Sequence, residues 1–302
     1  MHTTLQQLRL FEAVARHGSF TRAAHEAHLS QPAVSIQVKR LEEQVGMGLF
    51  DSVGRALVLT PAGEELLAAS RDILDRLEAL DTALDDLRGD MAGPLRVAAV
   101  TTAKYFMPHL MGTFLRRHPK VRPVLSVINR ANLLERLAVN QDDLFITGRV
   151  PGGLPVKAVP FLDNVIVAIA APDHPLAARP GIPVSALAEY RVLKRELGSG
   201  TRSAVERAFE EAGLSVAPFM ELGSDEAIKQ AVQAGLGIAF LSAYCLGPEL
   251  QTGRLVVLDV AGFPLTRKWY AVQRANRPLS RAAEAFLAFM RDEAVVQAAM
   301  LR

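Results

Sequence analysis

Apolar positions near the start of the chain repeat every three or four residues. Leu5, Leu8, Phe11, Val14 and Ala15 share one face, which predicts a helix that ends at Gly18. Ser19 or Thr21 can cap a second helix through Ala23, Ala24 and Ala27. A tight turn, His28-Leu29-Ser30-Gln31, follows, and Pro32 sits where the first turn of a third helix favours it. Val34, Val38, Leu41 and Val45 face inward on that helix, and Gly46 closes it. From Leu49 to Leu59 the pattern alternates around a Gly turn, as a short β-hairpin does.

After the hairpin the period changes. Thr60 suits an N-cap, with Pro61 behind it and Glu64 and Glu65 in the first turn. Leu66, Ser70, Ile73, Leu77, Leu80, Leu84 and Leu87 then follow at alternating steps of four and three. That is a heptad seam, and a seam needs a partner. A helix docked on its own domain is the alternative reading, and it calls for a wider apolar stripe. From Gly93 onward, short runs rich in Val, Ile and Ala alternate with helical ones. Strands are expected at 95–100, 124–128, 144–146, 165–170 and 238–240, with helices at 106–117, 133–139, 201–212 and 226–234. The fold class is therefore multidomain: an α head with a hairpin wing over 1–60, a linker helix over 61–92, and an α/β body with mostly parallel sheet over 93–302.

Composition narrows the classes. Half of the 302 residues are apolar, so the chain can bury real cores. A net charge of +2 excludes a general polyanion coat but leaves room for a local basic face. The single cysteine, Cys245, excludes an internal disulfide framework and a Cys-rich zinc site, and fits a reducing compartment. The first residues carry no signal-like segment, and the apolar runs fall short of the ~20 residues that span a bilayer. The expectation is a soluble cytoplasmic protein with no membrane partner. Charge is uneven: from Pro61 to Ala92 nine acidic residues face three arginines, most simply a solvated outer face.

A helix, a short turn and a second helix with polar residues at its start is the geometry that enters a DNA major groove. On the third helix the outward set includes Gln31, Ala33, Ser35, Ile36 and Gln37, with Pro32 in its first turn. Gln and Ser can bond base edges, and Ala or Pro can touch a thymine methyl. Lys39, Arg40 and Arg55 at the wing tip would meet phosphates, and Ser19 and Thr21 complete the DNA-binding set. A small helical dimerisation domain with a solvated polar face fits the same pattern.

The residues also carry a resemblance. The run Phe11-x-x-Val14-Ala15-Arg16-His17-Gly18-Ser19-Phe20-Thr21-Arg22-Ala23-Ala24 resembles the LysR-type transcriptional regulators. So do Leu29-Ser30-Gln31-Pro32-Ala33-Val34-Ser35-x-Gln37-Val38-x-x-Leu41-Glu42, Leu49-Phe50 and Leu59-Thr60-Pro61-Ala62-Gly63. Many relatives carry a basic residue near Asp51-Ser52-Val53, where this chain has none, which leaves Arg55 as the wing's main phosphate contact. The resemblance implies a winged helix-turn-helix and antiparallel pairing of the linker helices through Leu66, Ile73, Leu77, Leu80, Leu84 and Leu87. It further implies a homodimer or homotetramer on pseudo-palindromic double-stranded DNA, with RNA polymerase as a further partner. The body would be a periplasmic-binding-protein-like effector domain. Subdomain I would cover about 93–162 and 267–302 and subdomain II about 163–266, with crossings near Asp163 and Thr266.

Within the family the body is similar to the CbbR subgroup, regulators of carbon-fixation (Calvin-cycle) operons. The residues are Thr101-Thr102-Ala103-Lys104-Tyr105-Phe106, Asp142-Asp143-Leu144-x-Ile146-x-Gly148-Arg149, Arg195-Glu196-x-Gly198-Ser199-Gly200-Thr201-Arg202 and Asp225-Glu226-Ala227-Ile228-Lys229-Gln230-Ala231-Val232. Effectors in that subgroup are phosphorylated sugars and related metabolites, so a small anionic metabolite is expected and no cofactor. Thr101, Thr102 and Lys104 after the first strand, and Ser199, Gly200, Thr201 and Arg202 at a helix start, bring hydroxyls, free N–H groups and cations together, which suits an anion. Read from the residues alone, Thr102 and Thr201 are ordinary N-caps. The resemblance makes them effector contacts, and Asn129, Arg130, Thr147, Gly148 and Arg149 complete the candidates. Leu197, Thr147 and Asp225 depart from the subgroup, which has Pro, an apolar residue and Asn there; a carboxylate at 225 would oppose a polyanion.

Other chemistry is set aside. His25-Glu26-Ala27-His28 has the histidines three apart, where a zincin helix needs four, so no metal is assigned. Gly198-Ser199-Gly200 is not a nucleophile elbow, and Gly235-Leu236-Gly237 lacks the third glycine of a dinucleotide fingerprint. No catalytic residue is assigned. The alternatives that stay open are a regulator of another metabolic operon with a different effector or none, and a small-molecule-binding protein whose head serves only for oligomerisation.

Overall fold

The computed structural model describes residues 3–53, 56–87 and 91–300. Its contacts divide the chain into a head, Met1–Gly89, and a body, Asp90–Arg302.

In the head, the caps set the helices. Thr4 accepts from the Gln7 N–H and opens α1 (Leu5–His17), which Gly18 stops in the left-handed region at φ 57°. Ser19, not Thr21, caps α2 (Phe20–Glu26), and Ser30 caps α3 (Gln31–Val45) with Pro32 in its first turn. Val34, Val38 and Leu41 point into two small buried clusters that also hold Leu8, Phe11, Val14 and Leu49. Strands β1 (Phe50–Val53) and β2 (Ala56–Leu59) pair antiparallel. Arg55, at the tip between them, lies outside the described residues.

The long helix α4 (Pro61–Leu87) is pinned to the head at its start. Thr60 Oγ1 accepts from the Gly63 N–H at 3.0 Å and donates to the Gly48 carbonyl at 2.7 Å. Gly63 packs directly on backbone: a Cβ there would lie 2.2 Å from the Leu49 carbonyl oxygen. Leu66 and Leu67 pack against the head's cluster and Ser70 is fully buried. The first positions of the expected seam therefore belong to the head's own core, because α4 begins against it. Farther along, Ile73, Leu80 and Leu84 are 43%, 54% and 47% exposed, and Leu77 is half-buried. The Leu87 side chain lies outside the described residues.

The body begins with β3 (Gly93–Val100), a 3-10 turn over Thr101–Tyr105, α5 (Met107–Arg117), β4 (Val121–Ile128), α6 (Arg130–Ala138) and β5 (Leu144–Thr147). Next come β6 (Val156–Ala170), β7 (Val192–Arg195), α7 (Gly200–Glu211), β8 (Met220–Leu222), α8 (Asp225–Gln233), β9 (Ile238–Ser242), α9 (Gly247–Gln251) and β10 (Val256–Val257). Strand β11 (Leu265–Arg274) and helices α10 (Arg281–Arg291) and α11 (Glu293–Met300) follow. The strands run in the order β4-β3-β5-β11-β6-β9-β7-β8, with β10 beside β6.

The expectation of a mostly parallel sheet holds only toward its ends. β3 is parallel to β4 and β5, and β7 is parallel to β8 and β9, as βαβ crossovers require. In the middle, β6 and β11 are antiparallel to each other and to their outer neighbours β9 and β5. Both strands traverse the body, in opposite senses, and that return path forces antiparallel pairing. It also explains why β6 starts at Val156 rather than near Val165. Lys157, Pro160 and Asp163 interrupt its apolar run, yet β11 pairs with it from Arg274–Val156 to Leu265–Ile166.

Separate cores lie on the two sides of that crossing. One gathers Leu95, Phe106, Phe114, Trp269 and Phe286, with the Phe106 and Trp269 rings 5.1 Å apart. On the other side Ile166, Phe209 and Ile238 form one cluster and Ile228, Leu241 and Leu246 another. Polar bonds join the halves. Arg195, at the end of β7, forms a fully buried ion pair with Asp225, the first residue of α8. Arg195 also donates to Thr101 Oγ1 at 2.9 Å, and Thr102 Oγ1 donates to Asp225 at 3.3 Å. Burial opposes charge on Arg195, but Glu196 and Asp225 outweigh it and raise its pKa.

Two outcomes are expected. Gly63→Ala should destabilise the head in urea unfolding, although alanine is the better helix former by about 1 kcal/mol. A stabilised Gly63→Ala would mean that α4 does not press on Leu49. Asp225→Ala should cost about 1–3 kcal/mol, since it removes one of the two carboxylates on a buried arginine and leaves Glu196 at 2.7 Å. Asp225→Asn keeps a hydrogen-bonding group of the same size and should cost less; equal losses would show that the charge of Asp225, and not its hydrogen bonding, carries the stabilisation.

Candidate functional site

Two surfaces bring together the residues that the sequence singles out. The first is the outer side of α3. Because Val34, Val38 and Leu41 are buried, the opposite side is left to water, and Gln31, Pro32, Ile36, Lys39 and Arg40 are exposed there. Ala33, Ser35 and Gln37 are half-buried on its flanks. Ser19 is half-buried and spends its hydroxyl as the α2 cap, accepting from the Arg22 N–H at 3.3 Å, whereas Thr21 is exposed. Glu26, in the motif that hints at zinc, is taken by Arg16 at 2.6 Å and by His17 Nε2 at 2.6 Å. The Arg16 hydrogen bond is the main reason its pKa falls to about 2.

The second surface is a cleft in the body that encloses about 620 Å³ including its open mouth. Its floor is the crossing itself: Asn164 and Ile166 of β6, and Arg267 and Trp269 of β11, alternate residues that point to one face. One wall is the end of β3 and the 3-10 turn, with Val100, Thr101 and Thr102, together with Asn129 and Arg130 at the start of α6. Thr147, Gly148 and Arg149 follow β5 into the same wall. The opposite wall is the first two turns of α7: Ser199, Gly200, Thr201, Ser203 and Arg207.

Two helix N-termini therefore face one cavity. Asn129 caps α6 by accepting from the Asn132 N–H at 2.9 Å, and Ser199 caps α7 by accepting from the Arg202 N–H at 3.4 Å. They approach closely. A Cβ on Gly198, whose φ is +86°, would lie 3.4 Å from the Ala131 Cβ, and one on Gly200 would lie 3.8 Å from the Arg130 Cδ. Between these partly positive helix ends sit four guanidinium groups, Arg130, Arg149, Arg207 and Arg267, and no lining residue among those described is acidic. Burial first, then Arg149 and Arg267, lowers the Arg130 pKa. Burial and then Arg207 and Arg149 lower that of Arg267. The cluster is positive charge short of a counter-ion.

Hydroxyls divide by what remains to be donated. Thr102 gives its proton to Asp225, while Thr101 accepts from Arg195 and its O–H is not spent on that bond. Thr147 is fully buried, accepts from Arg130 at 3.1 Å and donates to the Arg149 carbonyl at 3.3 Å, so it orients Arg130.

Several expected effector contacts are placed otherwise. Arg202 is not in the lining: its guanidinium is held by Glu206 at 2.9 Å, by Glu221 and by the Arg195 carbonyl at 3.0 Å. Lys104 also stands outside, with its Nζ 4.9 Å from the centre of the Tyr105 ring. Asp225 is buried against Arg195 and does not line the cleft, so it does not oppose an anion there. Sequence reasoning missed Asn164, Arg207 and Arg267. Arg207 had a signal, since Gly200, Ser203 and Arg207 follow helical spacing from the helix start. Asn164 and Arg267 had none, because only the β6–β11 register brings them there.

Comparison with known proteins covers the regions that carry both surfaces. A family model described as "Bacterial regulatory helix-turn-helix protein, lysR family" matches residues 5–64, and one described as "LysR substrate binding domain" matches residues 88–295. The chain is 50% identical over 289 residues to a RuBisCO operon transcriptional regulator of Acidithiobacillus ferrooxidans, covering 96% of this chain and 94% of that one. It is 45% identical over 296 residues to the HTH-type transcriptional activator CmpR of a Synechocystis strain, covering 97% of each. The regulatory domain of Synechocystis CcmR, solved in complex with 2-PG, is 41% identical with a TM-score of 0.64, over 68% of this chain and 97% of that one. The chain belongs to the LysR family of bacterial regulatory helix-turn-helix proteins.

Proposed function

We propose that this regulator controls a carbon-fixation operon and that its cleft takes a small phosphorylated carboxylate such as 2-phosphoglycolate. The observation that carries the reading is the set of Arg130, Arg149, Arg207 and Arg267 around one cavity with no carboxylate in its described lining. Four guanidinium groups crowded together repel one another, and a ligand with two anionic ends removes that repulsion while gaining bidentate bonds. The α6 and α7 N-termini and the Thr101 hydroxyl supply further donors. The relatives support the operon: one is named for RuBisCO, and the CcmR regulatory domain holds 2-phosphoglycolate.

On this reading α3 meets operator DNA in the major groove, and Lys39, Arg40 and Arg55 meet phosphates. Ile73, Leu77, Leu80 and Leu84 of α4 pair with a second copy, and dimers build a homotetramer. The protein acts in the cytoplasm as an activator that engages RNA polymerase. The ligand biases the angle between the halves of the body, and transmits only as much energy as its affinity differs between the two shapes.

Calorimetry on the full chain tests the cleft. 2-Phosphoglycolate should bind more tightly than glycolate or inorganic phosphate. Arg130→Ala and Arg267→Ala should each weaken it at least ten-fold, and Arg202→Ala should change it little. If Arg202→Ala abolished binding while the cleft substitutions left it intact, the site would be misplaced. Leu80→Asp or Leu84→Asp puts an unpaired carboxylate in the seam, so sedimentation should show smaller species and operator affinity should fall. An unchanged mass would place self-association elsewhere.

A further inference from the structure

The outward side of α3 holds one residue that neither hydrogen-bonding nor charge accounts for. Ile36 is 52% exposed in the middle of a helix whose other outward residues are Gln31, Lys39 and Arg40 with Pro32. Single exposed apolar side chains are common on protein surfaces and by themselves mean nothing. Position sets this one apart. Val34 and Val38 are fully buried, and Ile36 stands about 200° around the helix from each, so it is the centre of the outer face. Pro32 lies one turn before it and Arg40 one turn after it, on the same line. A β-branched residue is also a poor choice for an exposed helix position on propensity alone.

Resting on the DNA-binding reading of α3, we propose that Ile36 reads thymine, by packing its side chain on the C5-methyl group of a base in the major groove. The thymine methyl is the one apolar group that a base edge offers there, and it is absent from adenine, guanine and cytosine. A side chain at the centre of the outer face goes deepest into the groove, while Lys39 and Arg40, toward the helix end, reach for phosphates. Gln31, at the helix start, is left to bond a base edge. The contact excludes water from two apolar groups and so selects by burial, without a hydrogen bond. Pro32 forms the shoulder of the same apolar strip and keeps water from entering beside it.

Deoxyuridine provides the test, because it differs from thymidine only by that methyl group. High-affinity duplexes are first selected with the full chain from a random library, and each thymine is then replaced singly by deoxyuridine. At one thymine in each half-site the wild-type chain should lose affinity about four-fold, the value of one buried methyl group. In Ile36→Ala that loss should disappear, whereas Gln31→Ala should bind more weakly but keep the full deoxyuridine penalty. Ile36 is exposed and alanine favours helix, so the variant should fold, and its affinity for random duplex should match the wild type. If Ile36→Ala kept the penalty, the methyl would be read by Pro32 or Ala33 and the proposal would be overturned. If no thymine showed a penalty in the wild type, no methyl would be read at all, and the proposal would again fail with α3 still a recognition helix. A wild-type chain that prefers no duplex over random DNA would sink the α3 reading itself.

Discussion

Four arginines gathered round one cavity without an acid in its described lining are the feature on which the body depends. Like charges at short range in a partly desolvated cleft are costly, and the fold tolerates them because each is fixed by a different element. Arg267 is carried by β11, Arg207 by α7, Arg130 by α6, and Arg149 by the segment after β5. α6, β5 and β11 share a buried cluster that holds Leu133, Phe145 and Val272, and α7 packs Val205 and Phe209 into another, so the backbones that carry the arginines are fixed by core packing. The cleft therefore keeps a concentration of positive charge, the feature on which the proposed anion site rests.

The same architecture keeps competing charges out. Asp225 has the wrong sign for an anion site and lies next in space to Thr102, yet it is fully buried and paired with Arg195. That pair also sets the threonines apart: the Thr102 proton is spent on Asp225, and Thr101, which receives Arg195, retains its own. Glu206 and Glu221 are drawn to Arg202 on the other side of α7. Acids close in sequence to the cleft are each neutralised by a neighbour, and what faces the cavity is cationic. Arg195 touches Thr101 across the junction of the halves, where Thr102 also meets Asp225, so the Thr101 hydroxyl stands beside one of the polar bonds that join them.

In the head the requirement is rigidity. Alternate faces of α3 do opposite things: Val34, Val38 and Leu41 are buried, and the polar side is held out at fixed height. The cap at Thr60 and the close contact of Gly63 with Leu49 join α4 to the segment that enters the wing, so the long helix leaves the head without a loose hinge. Leu66 and Leu67 complete that joint, which is why the exposed apolar positions of the heptad pattern begin only at Ile73.

What the sequence by itself determined is whatever depends on neighbours within a few residues. The three head helices, the proline start of α3 and the Thr60-Pro61 start of α4 follow from local patterns, and Ser19 was one of two cap candidates for α2, because caps and helix faces are made within one or two turns. The α7 wall was legible for the same reason, and Arg207 could have been read from its helical spacing with Gly200 and Ser203. Even the error over Arg202 had a local sign, since Glu206 stands four residues on, where a helix brings acid and base together. The tertiary structure decided the rest. Arg267 meets Asn164 only through the register of β6 with β11, and Asp225 meets Arg195 only because α8 starts beside the end of β7. Pairings between residues tens of positions apart leave no periodic trace in a single chain, so that Arg267 faces the cleft and that Asp225 is cancelled were fixed by packing alone.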